Sequence, residues 1–142
     1  MPTPFQLDIL TPERSFFSGE AQGVIVTTPD GELCVLAHHA PMVTPVTVDG
    51  ETGSFHINID GVWKMAFISE GFMEVGHNRT VIFTQACEWP EDIDVQRAEE
   101  VKRRTEEKLR QQLSIREYRT NKIALARAMA RLRIAHTQNL NK

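Results

Sequence analysis

The chain has 142 residues and a formal net charge of −3, with 41% hydrophobic and 25% charged residues. This composition predicts a soluble globular protein of one or two small domains. No run approaches the ~18 apolar residues that a membrane-spanning helix needs, and the first residues lack a secretory pattern, so we expect the protein to stay where it is made. The two cysteines, Cys34 and Cys87, exclude a disulfide framework, and we interpret both as packing residues in a reducing compartment.

Glycine, proline and charge divide the chain at one point. All 8 glycines and all 7 prolines lie in residues 1–90, and Gly and Pro punctuate turns but are unfavourable inside helices. Residues 1–90 hold 11 acidic and 3 basic residues, whereas residues 91–142 hold 8 acidic and 13 basic residues. We therefore predict a strand domain over residues 1–88 and a basic helical domain over residues 91–142, with the boundary near Trp89-Pro90.

Short strands are predicted throughout the first part. Phe5, Leu7 and Ile9 alternate with polar residues, which is typical of a half-buried strand. Residues 24–26 and residues 81–83 are further strand segments, rich in β-branched and aromatic side chains. Strands this short and frequent favour a β-sandwich or a barrel.

Three Asp-Gly pairs are candidate turns. Asp60-Gly61 separates FHINI from VWKMAFI, and a type I′ hairpin turn needs the positive φ that Asp and Gly tolerate. Asp30-Gly31 and Asp49-Gly50 are similar candidates.

The sequence pattern of residues 91–142 predicts two helices. Asp92 or Asp94 can cap the first helix, just after Pro90. Its apolar positions recur at spacings of three and four and form one narrow stripe: Val95, Ala98, Val101, Thr105 and Leu109.

Ser114 and Glu117 form a capping box that predicts the start of the second helix. Its predicted stripe is Tyr118, Leu125, Met129, Leu132 and Ala135. Because the break before Ser114 is short, the two helices can form an antiparallel hairpin. Stripes this thin bury little area, so we expect the hairpin to need the strand domain, a ligand or a partner for stability.

The sequence lacks the usual signatures of catalysis. It has no phosphate-binding loop, no nucleophile elbow and no metal-ligand spacing among its five histidines, so we predict no catalytic residue and no metal site. An enzyme that uses the His38-His39 loop stays an alternative. The acidic strand domain and the lack of an aromatic platform argue against nucleic acid as a partner.

Four arginines are candidates for a phosphate site. Arg97 and Arg104 are seven residues apart on the first helix, and Arg127 and Arg131 are four apart on the second, so each pair shares a helix face. If the faces meet in the hairpin, the guanidinium groups converge and a polyphosphate would relieve their repulsion.

Two acidic residues lie near this predicted cluster. Glu88 and Asp94 flank the start of the first helix and could hold a base or orient Arg97. The alternative is a solvated helix face on which Arg104 pairs with Glu100.

The stretch from Gly31 to Val46 contains Ala-His-His-Ala-Pro, a segment of small and polar residues. Loops of this kind often carry partner contacts, although an ordinary crossover loop explains the composition as well.

The motifs FFSG, GEL, HAPM and GFMEV follow one another along residues 16–75, IDVQRA spans Ile93 to Ala98, and ALARAMARL lies near the end of the chain. In this order they resemble the motifs of the epsilon subunit family of bacterial F-type ATP synthases. Ile93 to Ala98 is similar to that family's I/L-D-x-x-R-A nucleotide signature, and ALARAMARL resembles its last helix. The resemblance implies a ten-stranded β-sandwich followed by a two-helix hairpin, in the α+β class. It also implies a place on the cytoplasmic face of the plasma membrane, as a peripheral, non-catalytic subunit of the proton-translocating synthase.

The resemblance further implies specific partners and residues. The sandwich would bind the gamma subunit and rest on the c-ring, with Glu32, His38 and His39 at the ring. The helices would fold on the sandwich or extend along gamma toward the alpha and beta subunits, where the extended form blocks ATP hydrolysis. No cofactor is required, and ATP is the implied regulatory ligand, bound by six residues: Glu88, Asp94, Arg97, Arg104, Arg127 and Arg131.

The sequence departs from the family pattern at several positions. Ala37 and His38 replace Pro and Gly, and Cys34 and Glu70 stand where Gly is common. Since non-Gly residues resist positive φ, we expect the loop at His38 to differ locally from the family's. A free-standing ATP sensor that is not part of a rotor is the alternative function.

Overall fold

The computed structural model describes residues 3–48 and 55–140, so the Asp49-Gly50 turn candidate lies outside the described residues. Ten strands form in this part of the chain, and their bounds are β1 Phe5–Leu10, β2 Ser15–Ala21, β3 Gly23–Thr28, β4 Gly31–Val35, β5 Met42–Val46, β6 Phe55–Ile59, β7 Val62–Ile68, β8 Gly71–Gly76, β9 Arg79–Thr84 and β10 Cys87–Glu88.

The strands form a sandwich of two five-stranded sheets. The first has the order β2-β1-β9-β8-β5 and the second the order β10-β7-β6-β3-β4. β1 and β9 run parallel, and the other described pairs are antiparallel. The ten-stranded sandwich implied by the resemblance is confirmed.

Alternation along the strands builds the core between the sheets. Phe5, Leu7 and Ile9 are all buried, as their spacing predicts, and they pack with residues of the second sheet such as Val24 and Ile57.

The two cysteines lie in different environments. Cys87 is buried and belongs to the core, and burial raises the pKa of its thiol far above the ordinary value. Cys34 is exposed on β4, so the prediction that it is a packing residue is wrong: alternation puts it on the outer face of its sheet.

Asp60-Gly61 forms the predicted type I′ turn. Both residues have positive φ, 53° and 83°, and Ile59 pairs with Val62 across them. At Asp30-Gly31, the other candidate within the described residues, the turn lies one residue earlier than predicted. Thr28 pairs with Gly31, so Pro29 and Asp30 are the central turn residues and Gly31, with φ 115°, follows them.

Two helices follow the sandwich. After a 3-10 turn at Pro90–Asp92, α1 spans Val95–Leu109 and α2 spans Ile115–Leu140. Asp94 caps α1, since its side chain accepts a hydrogen bond of 3.1 Å from the backbone N–H of Arg97. The helix start predicted at Ser114 is also confirmed: Ser114 Oγ accepts from the Glu117 N–H and donates to its carboxylate. No helix in the described part of the chain is long and apolar enough to cross a membrane.

The apolar stripe of α1 is confirmed, but the stripe predicted for α2 is partly wrong. Ala98 and Thr105 are buried, as predicted, and the rest of the α1 stripe is half-buried. On α2, Tyr118 is 45% exposed, whereas Ala130 and Ile134, outside the predicted stripe, are buried. The reason is that α2 packs against both α1 and the sandwich, whereas a single apolar stripe predicts contact with only one neighbour.

The hairpin packs onto the outer face of the second sheet. Phe67 of β7 is fully buried there beneath Ala130 and Ile134 of α2, with Ile93 and Ala135 in the same cluster. This second, smaller core fixes α2 against the outer face of the second sheet and so positions the arginines described next.

Candidate functional site

A cleft of about 320 Å³ lies where α1, α2 and the end of the sandwich meet. Four of the six residues predicted to bind ATP line it: Glu88, Asp94, Arg97 and Arg131. Asp92 also lines the cleft, and Ala98, Val101 and Ala128 supply the apolar part of its wall.

Arg131 reaches from α2 to the sandwich. Its Nε donates to one Glu88 carboxylate oxygen at 3.1 Å, and a terminal nitrogen donates to the other at 2.9 Å. The guanidinium also stacks over the Phe67 ring, with its carbon 4.4 Å from the ring centre. Arg131 is therefore held in place on two sides, by a charge and by a ring.

The start of α1 brings Asp94 and Arg97 to the cleft. Asp94 directs a carboxylate oxygen to the backbone N–H of Arg97 as the helix cap, so its position is fixed by the fold. The Arg97 side chain is exposed and, among the described residues, makes no ion pair, which leaves it available to an anion.

Arg127 does not line the cleft. It forms an ion pair with Glu70, in the turn between β7 and β8. Burial, and then the nearby charge of Arg131, lower the pKa of Arg127. The structure thus brings Arg127 beside the cleft but holds its guanidinium with a sandwich carboxylate.

Arg104 lies two turns beyond Arg97 on α1, is exposed and does not line the cleft. It forms no ion pair with Glu100 in the described part of the chain, so the predicted Arg104–Glu100 pair is wrong. The four guanidinium groups do not all converge: Arg97 and Arg131 share the cleft, Arg127 lies beside it, and Arg104 is apart.

The charges are arranged unequally within the cleft. Acidic groups, Glu88, Asp92 and Asp94, lie around the start of α1, and the arginines come from both helices. Such a site can accept a ligand with a hydrogen-bonding, uncharged end and an anionic end. Within residues 3–48 and 55–140, no group of three His, Cys, Asp or Glu residues is placed to hold a metal ion.

The three residues predicted to contact the ring do not form one cluster. Glu32 lies exposed at the start of β4, whereas His38 and His39 follow its end. At ~3.3 Å per residue the length of the strand separates them. A partner that contacts all three must therefore lie along β4.

His38 adopts the left-handed conformation. Its φ is 67°, and the His39 N–H donates to the Leu36 carbonyl at 3.3 Å, which closes a tight turn with positive φ at the third residue. A non-Gly residue resists this conformation, so the turn carries the strain that a β-carbon adds.

Sequence reasoning missed Glu70 and Phe67, the two sandwich residues that hold Arg127 and Arg131. Glu70 is 57 positions before Arg127, so no spacing rule could join them. In the sequence Phe67 is typical of an ordinary strand residue, and its contact with α2 depends on how that helix docks.

Comparison with known families accounts for almost the whole chain. Residues 4–90 match the model described as the β-sandwich domain of the ATP synthase delta/epsilon chain, and residues 91–136 match that of its long α-helix domain. The chain belongs to the delta/epsilon family of ATP synthase subunits. The two matches meet at the junction of sandwich and hairpin, beside the cleft.

Relatives of high identity carry the name ATP synthase epsilon chain. The protein of that name from Caldanaerobacter subterraneus subsp. tengcongensis is 47% identical over 135 residues, which are 95% of this chain and 96% of the relative. The one from Ruminiclostridium cellulolyticum is 50% identical over 128 residues, 90% of this chain and 92% of the relative.

Solved structures share the fold at low identity. A chain in the Euglena gracilis mitochondrial ATP synthase, in a structure of OSCP, F1 and c-ring, aligns over 99% of this chain and 83% of its own length, with a TM-score of 0.75 and 19% identity. A chain of the Tetrahymena thermophila mitochondrial enzyme, in a structure of the central stalk and c-ring, covers 96% of this chain and 97% of its own, with a TM-score of 0.62 and 11% identity. At these identities the likeness shows the fold.

Proposed function

We propose that this chain is a non-catalytic subunit of the central stalk whose helical hairpin senses ATP and controls ATP hydrolysis. The sandwich binds the gamma subunit and rests on the c-ring of a proton-translocating synthase, at the cytoplasmic face of the membrane. The hairpin either folds on the sandwich or extends toward the alpha and beta subunits, and the extended form inhibits hydrolysis.

One observation supports the sensing part of the proposal above all. Arg97 of α1, Arg131 of α2 and Glu88 of the sandwich line one cleft, so the cleft exists only while the three elements are together. A ligand that binds there has affinity for the folded form alone and shifts the equilibrium toward it. High ATP would thereby relieve inhibition.

The packing of the hairpin supports a movable element. Its cluster on the sandwich is small, and several apolar side chains of the first half of α2 stay exposed: Ile115 at 74%, Tyr118 at 45% and Ile123 at 48%. A helix that buries little when docked gives up little when it leaves, and its exposed apolar residues are available to another partner.

Calorimetric titration of ATP into the full chain tests the cleft. Arg97→Ala should weaken binding by about tenfold or more, since a hydrogen bond between charged groups contributes about 1.5–3 kcal/mol. Arg103→Ala, on the same helix and outside the cleft, is the matched control and should leave the affinity unchanged. Equal affinities for wild type and Arg97→Ala, or no heat from wild type, would refute the nucleotide part.

The rotor part needs a separate experiment. Affinity purification of a tagged chain from membranes should recover gamma, alpha, beta and the c-ring in stoichiometric amounts. Recovery of the chain alone would favour the free-standing sensor, an alternative that membership of the ATP synthase family already disfavours.

A further inference from the structure

Both arginines at the docked end of α2 are held by acidic residues of the sandwich. Arg131 is paired with Glu88 and Arg127 with Glu70. The two arginines are one helical turn apart, so they face the same side of α2. The two pairs differ in one respect: Arg131 lines the cleft while paired, whereas Arg127 does not.

Arg127 lies close to the cleft. Its neighbour Ala128 and the following turn at Arg131 both line the cavity. Its Nε is buried and, within the described part of the chain, has no hydrogen-bond partner. Glu70 therefore satisfies the Arg127 guanidinium only in part, and a further acceptor would be favourable there.

We propose that Glu70 competes with the phosphate groups of the ligand for Arg127, and so sets the nucleotide affinity of the cleft. This inference depends on the proposed function, because it concerns the same ligand. While it is paired with Glu70, Arg127 lies outside the cavity. A ligand phosphate must draw the guanidinium away from the carboxylate before it gains that contact.

The chemistry of the two acceptors makes the exchange feasible. Carboxylate and phosphate oxygens both match the two-pronged geometry of a guanidinium, and phosphate carries more charge. The Arg127–Glu70 pair is about one-third exposed on each side, so water and salt weaken it. Glu70 therefore reduces the affinity without preventing binding, and its effect is confined to the anionic end of the ligand.

The test is calorimetric titration of the full chain and of Glu70→Gln with ATP, inorganic triphosphate and adenosine. Glu70→Gln removes the charge and keeps the size of the side chain. We expect ATP and triphosphate to bind about threefold to fivefold more tightly, because the ligand no longer has to break the partly exposed Arg127–Glu70 pair, and adenosine to bind within about twofold of wild type. Glu74→Gln, an exposed carboxyl on β8, is the matched control and should change none of the three.

Arg127→Ala in the Glu70→Gln background tests whether the gain in affinity depends on Arg127. The gain should vanish in the double variant, since it acts through the arginine. If Glu70 served only to dock α2, its loss would weaken ATP and adenosine alike, and either that result or unchanged ATP affinity overturns the proposal.

The two proposals fail in different ways. Wild-type binding that depends on Arg97 but is unaffected by Glu70→Gln leaves the nucleotide site standing and refutes the role of Glu70. No binding by either protein refutes both.

Discussion

Arg131 and Glu88 form a two-pronged ion pair that joins the helical hairpin to the last strand of the sandwich, with N–O distances of 3.1 and 2.9 Å. The two side chains are only 28% and 25% exposed, so solvent screens this pair less than one at the open surface. Because the same arginine covers Phe67, charge pairing and apolar packing stabilise the same docked arrangement.

Arg131→Ala should therefore release α2 from the sandwich. It leaves Glu88 without its partner and removes the cover from Phe67, and we expect the docked form to lose about 2 kcal/mol. Hydrogen exchange of α2 amides, followed by mass spectrometry, measures the loss as faster exchange near Ala130 and Ile134. Arg116→Ala, an exposed arginine on the same helix, is the control. Unchanged protection in Arg131→Ala would show that the apolar cluster alone holds the hairpin.

The order of strands followed by helices was predictable from the sequence, because the physics behind that prediction is local. Gly and Pro are unfavourable inside a helix whatever the helix packs against. Their absence after Pro90 therefore indicates the helical part of the chain from local sequence alone. The Asp60-Gly61 turn and the Asp94 cap were predictable for the same reason, since each depends on residues within a few positions of one another.

The candidate site was predictable only in outline. Helical spacing grouped Arg127 with Arg131, but it could not show that each would be paired with a sandwich carboxylate, because those pairings depend on how α2 docks. Nor could it separate Arg104 from the cleft: residues seven apart share a face, yet the part of α1 that lines the cleft ends at Val101. The ion pairs of the two α2 arginines and the place of Arg104 both depend on long-range packing, which a local sequence pattern does not contain.

The stability of the sandwich should depend on pH through Asp8. Hydrogen bonding from Ser18 is the main cause of the lowered pKa of this carboxyl, with burial opposing it and Gln6 and Arg79 adding to it. Since the folded-state pKa lies below the ordinary value of 3.8, the stabilisation is complete above about pH 4 and is lost as the pH falls through the folded-state pKa.

Urea unfolding of the full chain at several pH values tests this role. Asp8→Asn should be less stable than wild type between about pH 5 and 7, and the gap should shrink below about pH 4 as wild type becomes protonated. Glu13→Gln, an exposed carboxyl without an ion pair in the described residues, should show no such gap. A gap that stays constant down to pH 2 would mean that the charge of Asp8 contributes nothing.

His38 carries backbone strain that glycine would relieve. With φ at 67°, its β-carbon meets the neighbouring carbonyl, whereas Gly has no such contact. His38→Gly should raise the free energy of unfolding by about 0.5–1 kcal/mol, since relief of strain exceeds the extra entropy of the unfolded chain. His39→Gly is the matched control: His39 has no positive φ, so the same change should destabilise there. Equal effects at the two positions would disprove the strain.

Gly71 should tolerate no side chain at all. A β-carbon there would lie 1.8 Å from the Phe83 carbonyl oxygen and 2.9 Å from the Thr84 Cα, which are backbone atoms of the paired strand β9. Relief requires β8 and β9 to separate, so Gly71→Ala should cost about 3 kcal/mol or more of the free energy of unfolding. Gly76→Ala, on the same strand, meets the Arg79 carbonyl at 3.6 Å, an ordinary contact, and should cost far less. Urea unfolding followed by tryptophan fluorescence compares the two, and similar losses would show that the close approach at Gly71 is not what requires glycine.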